Sequence, residues 1–377
     1  MNKILICSLV AIVAVVSCSR LEDNMTVKGD GLHSFEAAVE QSETKTIIDG
    51  MKSYWNGEES LWVLNGQSAT WKKKYKTTVT KQEKAIFVED DKSTVLTGDD
   101  FLAIYPANQA DDATWTGTKS DPLKKCWLEI DQTAVSGSYD TDNHIAIAYA
   151  ASGKKVFNFM NVVSLVKFTI KSTNVYEVCF YAKNSEYIAG NFEINYNDGN
   201  PSVNKTGDSR SSHVKVKPNT GNLVQNSTYY MSVLPTEFSK GFALEMIAYG
   251  AKGTLSCSDK YSLRRNQILD LGDVTWTPDS DANFYFELDT DNLKQWFSPA
   301  YLYVWTDSPK NEPLGAWPGK KMTKNGNTYN VTIPKEYIGK KLNFIVSNGS
   351  DWKTGNKVMN TVWAEQTYKG NANLGLN

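Results

Sequence analysis

Three aromatic residues at alternate positions, Tyr301, Tyr303 and Trp305, precede a Trp317-Pro318-Gly319-Lys320-Lys321-Met322 stretch and a polar loop running from Asn348 to Asn356. In an extended strand successive side chains point to opposite faces, so these rings share one face while Leu302 and Val304 share the other. The aliphatic pair suits a core, which leaves the rings as a flat amphipathic surface of the kind on which the C–H face of a sugar can lie. Cross-strand packing is the competing reading for Tyr301 and Tyr303, and Trp305 is the best candidate of the set for burial. Trp317 stands before Pro and Gly in a loop, where a tryptophan has less core to fill.

Other chemistry finds little footing. The histidines His33, His144 and His213 lie far apart and match no metal-ligand spacing such as H-E-x-x-H. Neither a G-x-S-x-G elbow nor a phosphate loop occurs. The acidic runs Glu89-Asp90-Asp91 and Asp99-Asp100 are chain neighbours that read as solvated turns and not as a glycosidase pair. No catalytic residue, metal ligand or cofactor is therefore assigned. A formal net charge of −2 gives no reason to expect nucleic acid as a partner.

The elements that must position the aromatic residues are strands. Over 377 residues, enough for two or three domains, short apolar or alternating runs are separated by Gly, Asn, Asp and Ser clusters, and long helical periodicity is absent. The fold class is all-β. Thr277-Pro278-Asp279-Ser280-Asp281 punctuates the chain as a linker. Beyond it, strands are predicted at Phe284 to Leu288, Tyr301 to Thr306, Tyr329 to Ile333, Leu342 to Ser347 and Val358 to Trp363, a pattern suited to an immunoglobulin-like sandwich over 281–377.

At the other end, Lys3 and the apolar run Ile4 to Val16 read as an export signal over 1–17, too short to span a bilayer comfortably. Val15-Val16-Ser17-Cys18 resembles the lipobox of bacterial lipoproteins, which implies lipid on Cys18 and attachment to a membrane. Glu22 and Asp23 resemble the acidic signal for the outer face of the outer membrane. The polar segment 18–40 reads as a tether. Cys126, Cys179 and Cys257 remain, an odd number with wide spacing, and read as small buried hydrophobes; pairing of Cys179 with Cys257 stays open.

Several segments, in order, resemble the fimbrillin-like lipoproteins: Thr44 to Gly50, Tyr54-Trp55-Asn56-Gly57, Leu61 to Gly66, Phe101 to Ala107, Phe157 to Ile170, Tyr229 to Pro235 and Leu271 to Val274. The resemblance implies tandem β-sandwich subdomains over 41–153 and 154–276. It also raises assembly by strand donation between copies as a possible role. Residues 281–377 resemble a starch-binding module of the family-26 type, through the Tyr301-x-Tyr303-x-Trp305 strand, the Leu314-to-Met322 loop, the Tyr329-to-Pro334 strand and the Asn348 loop with Thr354-Gly355-Asn356. That resemblance implies a platform of Tyr301, Tyr303 and Trp317, with hydrogen bonds from Lys320, Lys321, Asn348 and Thr354. The bulky Trp352 and Lys353 depart from it. Set beside the Trp317 loop, the site reads as two strand tyrosines facing one loop tryptophan, and Trp305 moves towards the core.

The expectation is a non-catalytic protein, lipid-anchored in the outer membrane at the cell surface, that binds starch or related α-glucan and holds it near partner enzymes and importers. The alternative is a fimbrial subunit or pilus-tip adhesin with a glycan-binding end.

Overall fold

The computed structural model describes residues 32–40, 54–55, 57–65, 72–79, 81–92, 95–98, 100–151, 156–197, 200–207, 209–288 and 297–370. The expected signal peptide, Cys18 and the first part of the tether lie outside them. All regular structure among the described residues is β, apart from 3-10 turns at Ala107–Ala110, Thr141–Asn143 and Lys335–Tyr337. Two compact units are present. The second comprises Ser172–Glu177, Glu245–Thr254 and the described residues from Thr275 onward.

In the first unit, seven strands close into a barrel in the order Ser34–Val39, Lys84–Glu89, Lys72–Lys76, Ser60–Asn65, Phe101–Tyr105, Ala146–Ala150 and Val156–Asn161. Closure is made by parallel pairing of the first strand with the last, Glu36 opposite Val156. The period-2 pattern explains which way each strand faces: in Lys84–Glu89, Ala85 and Phe87 are buried while Ile86 and Val88 are exposed. Phe35 packs on Phe87 and Phe157, and Trp55 meets Phe87, Tyr105 and Phe159 edge-on. The Trp55 indole N–H, which must find an acceptor once buried, donates to the Ala37 carbonyl at 3.0 Å.

Three placements differ from the linear reading. Ser34–Val39 is folded into the barrel, so the segment read as tether to residue 40 becomes strand from residue 34. Val156–Asn161, read as the start of the second subdomain, closes the barrel. Leu123–Leu128 and Asp131–Thr133, read as part of the first subdomain, pair instead with Ala189–Asn197 and His213–Lys217. Leu123, Cys126 and Leu128 are wholly buried in that arrangement, and partners so distant in sequence leave no local signal. Cys126, Cys179 and Cys257 are all buried in strands.

The second unit contains a two-sheet sandwich. One sheet has the order Thr323–Asn325, Thr328–Ile333, Ala282–Leu288, Glu365–Gly370; the other has Lys310–Asn311, Tyr301–Asp307, Leu342–Ser347, Lys357–Met359, with Lys320–Lys321 also on Tyr301–Asp307. Its core joins Phe284 and Phe286 of one sheet to Leu302, Val304, Phe344 and Val346 of the other. The strand predicted at Val358 to Trp363 is instead the short Lys357–Met359, and a further strand forms at Glu365–Gly370. That last strand reads EQTYKG and pairs in parallel at a sheet edge, so its burial is one-sided and its apolar signal is slight.

Candidate functional site

Parity along Tyr301–Asp307 decides the site. Leu302 and Val304 are fully buried, and the residues of opposite parity, Tyr301, Tyr303 and Trp305, are each half-buried on the outer face. Tyr303 and Trp305 lie two residues apart with ring centroids at 5.2 Å and planes 24° apart, a stacked pair. Trp305 therefore belongs to the platform, contrary to its expected shift towards the core. The core positions of this strand are taken by the aliphatic residues, and a ring of the other parity cannot reach them.

The Trp317 loop reaches the same face by way of one glycine. Gly319 has φ +85°, and a Cβ there would stand 2.1 Å from the Leu302 carbonyl oxygen, so only glycine lets the loop return this close to the strand. Lys320–Lys321 then pairs antiparallel with the strand, Tyr301 opposite Lys321 and Leu302 opposite Lys320. Directly opposed residues share a face, which puts Lys321 on the platform side and Lys320 on the other; both are exposed. Trp317 stands edge-on to Tyr303, with centroids at 5.6 Å and planes 78° apart, and remains 42% exposed. Two stacked rings and a third across them make an L-shaped aromatic corner.

Polar groups fix the corner. The Tyr303 hydroxyl donates to Glu312 Oε1 at 2.6 Å, and this bond, helped by burial, raises the phenol above its ordinary pKa. Trp305 Nε1 donates to Asp307 Oδ1 at 3.2 Å, and Asn343 Nδ2 donates to Asp307 Oδ2 at 2.9 Å. The Lys353 ammonium lies 5.7 Å from the Trp317 ring centroid, within cation–π range. Glu312, Asp307 and Lys353 join the site without a motif in the sequence that marks them. Their roles depend on contacts between loops, although Lys353 was visible as a departure from the family pattern.

The Asn348 loop is built largely for itself. Asn348 Oδ1 accepts from Ser350 N at 2.9 Å, Ser350 Oγ at 3.2 Å and Trp352 N at 3.1 Å. Gly349, with φ +88°, lies against Tyr301, where a Cβ would meet Cε2 at 2.9 Å. Thr354 corrects the expectation of a sugar contact. It is 1% exposed, and its Oγ1 accepts the Val346 N–H at 3.0 Å, closing the loop onto Leu342–Ser347. Trp352 keeps 38% exposure at the loop tip.

The corner offers ring faces rimmed by carboxylate, ammonium and amide groups, an arrangement suited to a neutral polyhydroxylated ligand.

Residues 290–357 match the family described as Starch-binding module 26.

Among solved structures, the chain resembles a candidate cell adhesion protein from Bacteroides uniformis (14% identity, 62% of this chain and 88% of that one, TM-score 0.37). It also resembles the tip fimbrial protein Mfa3 from Porphyromonas gingivalis (9% identity, 62% and 92%, TM-score 0.29). A family-26 module from Eubacterium rectale Amy13K in complex with maltoheptaose matches as well (15% identity, 56% and 92%, TM-score 0.20). No curated protein matches the sequence.

Outside residues 290–357, Trp62 is a described aromatic residue with a polar setting. Its indole donates to Asp111 Oδ1 at 2.9 Å, and the ammonium groups of Lys72 and Lys74 stand 4.8 and 5.2 Å from its ring centroid. Among the described residues no cluster of three or more His, Cys, Asp or Glu is arranged to hold a metal ion, and no helix is long and apolar enough to cross a membrane.

Proposed function

We propose that this protein is a non-catalytic surface lipoprotein that binds starch or a related α-glucan through the corner formed by Tyr303, Trp305 and Trp317, and presents the polymer to partner enzymes or importers. The observation that carries the reading is the near-perpendicular Trp317 beside the Tyr303–Trp305 stack, inside the segment that matches a starch-binding family. An α-1,4-linked glucan curves, so successive glucose units offer their C–H faces at an angle, and rings set at an angle cover more of them than a flat row would. Each covered face removes apolar area from water, while Lys321 and Lys353, exposed beside the rings, supply donors suited to sugar hydroxyls. Because the Tyr303 phenol is held by Glu312, little side-chain freedom is lost on binding.

Attachment to the membrane through lipid on Cys18 is part of the same proposal and rests on the apolar run that ends in Val15-Val16-Ser17-Cys18. Metabolic labelling with an alkyne fatty acid tests it: label should enter the native chain and be absent from Cys18→Ser. For the binding activity, the full chain is sedimented with granular starch and with crystalline cellulose. Depletion by starch alone is expected; equal depletion by both, or by neither, would overturn the reading.

A further inference from the structure

A second exposed tryptophan in the same unit repeats the geometry of the first. Trp363 lies between the edge strands Lys357–Met359 and Glu365–Gly370 and is 49% exposed, more than Trp317. It meets Tyr249 edge-on, with centroids at 5.9 Å and planes 71° apart, against 5.6 Å and 78° for Trp317 and Tyr303. Tyr249 is itself fixed from several sides. Trp276 packs at 5.7 Å, Asn174 Nδ2 donates to its hydroxyl, and the backbone of Gly339 lies so close that a Cβ there would fall 2.7 Å from Cε2. The Trp363 backbone N–H donates to Gln366 Oε1 at 3.4 Å.

We propose that Trp363 with Tyr249 forms a second α-glucan contact. This rests on the function proposed for the Trp317 corner. A half-exposed indole held across a fixed tyrosine is a preorganised stacking surface, and the neutral amides of Asn174 and Gln366 hold it in place, Asn174 on the Tyr249 hydroxyl and Gln366 between the Trp363 backbone N–H and Met359 Sδ at 3.0 Å. An apolar peptide or lipid partner would want a wider apolar surface. The Tyr301–Asp307 strand is separated from Lys357–Met359 by Leu342–Ser347, so the two tryptophans serve separate stretches of ligand. A polymer engaging both gains avidity without any new contact, by about 100-fold or more where the geometry allows simultaneous binding.

Indole N–H resonances of the tryptophan-labelled full chain, followed by NMR during titration with maltoheptaose, test the proposal directly. Trp317→Phe and Trp363→Phe assign the peaks and keep a ring in each place. Both the Trp317 and Trp363 signals should move saturably, and Trp363→Ala should weaken retention on amylopectin about tenfold or more while leaving the Trp317 titration unchanged. A moving Trp317 with a stationary Trp363 would overturn this inference and leave the proposed function standing. If neither signal moves, the proposed function fails and this inference with it. A Trp363 signal that shifts with protein concentration alone, and not with sugar, would mark a contact between copies and also overturn it.

Discussion

Glu312 orients Tyr303, because its carboxylate accepts a hydrogen bond from the phenol hydroxyl at 2.6 Å, and the same bond raises the phenol above its ordinary range. Glu312→Gln replaces a charge-assisted bond by a neutral one, which should lower stability by about 1 kcal/mol in a urea titration, while α-glucan affinity should fall only as far as the Tyr303 ring loses its fixed orientation. The same substitution should return the Tyr303 phenol towards its ordinary range, seen in a spectrophotometric titration of the tyrosines. With Glu312 present the phenol holds its proton above the ordinary tyrosine range, so its contribution to stability is present at neutral pH and is lost only as pH rises through the raised value. Thr354→Val tests the opposite kind of residue. It leaves the Val346 N–H without its acceptor and should cost about 1–3 kcal/mol in a urea titration, with the affinity of the folded protein unchanged. Parity alone placed Tyr301 and Tyr303 on the outer face, and Pro318-Gly319 marked Trp317 as a loop ring. For Trp305 the general tendency of tryptophan to be buried points inward, and its parity on the strand, which points outward, prevails. Glu312 and the burial of Thr354 arise from chain segments meeting in space and had no sequence signature.

At the scale of elements, Gly319 and Gly349 bring the loops to the platform. Gly319→Ala would force a Cβ against the Leu302 carbonyl oxygen and add positive-φ strain. The Lys320–Lys321 pairing should be disturbed, lowering the melting temperature by several degrees and weakening glucan binding with it. Gly315→Ala is the matched control: its φ is +91°, yet an added Cβ meets nothing within 4 Å, so it should cost about 1–2 kcal/mol of backbone strain and leave affinity intact. Calorimetric melting curves and binding titrations of both variants separate these outcomes. Strands with clean alternation were legible: Ala282–Leu288 and Tyr301–Asp307 each extend only a residue or two beyond their predicted bounds. Glu365–Gly370 was not, since its packing relies on Tyr368 against Phe284 and Phe344 within an otherwise polar run. The barrel's closure was equally hidden. It depends on Ser34–Val39 lying parallel to Val156–Asn161, a pairing between segments more than a hundred residues apart.

At the scale of the molecule, stability and binding can be separated by pH. His144 is buried against Tyr139, with centroids at 4.2 Å, and burial pushes its imidazole down to about 4, with Asn161 acting in the other direction. The unfolded chain takes up a proton near the ordinary histidine value of about 6.5 while the folded chain resists it, so stability is fully present above that pH and drains away as pH falls towards 4. The loss is on the order of 3 kcal/mol by linkage. His144→Phe should flatten the urea-midpoint profile across that window. The starch-binding match covers residues 290–357, so glucan binding measured at neutral pH should be indifferent to the same substitution. The most direct test of the account is migration of the full chain and of Trp317→Ala through native gels with and without amylopectin. The account predicts strong retardation of the native chain, and for Trp317→Ala, at an unchanged melting temperature, a loss of about 2 kcal/mol or more, roughly 30-fold in affinity at that site. Free migration of the native chain, or equal retardation of the two, would contradict it.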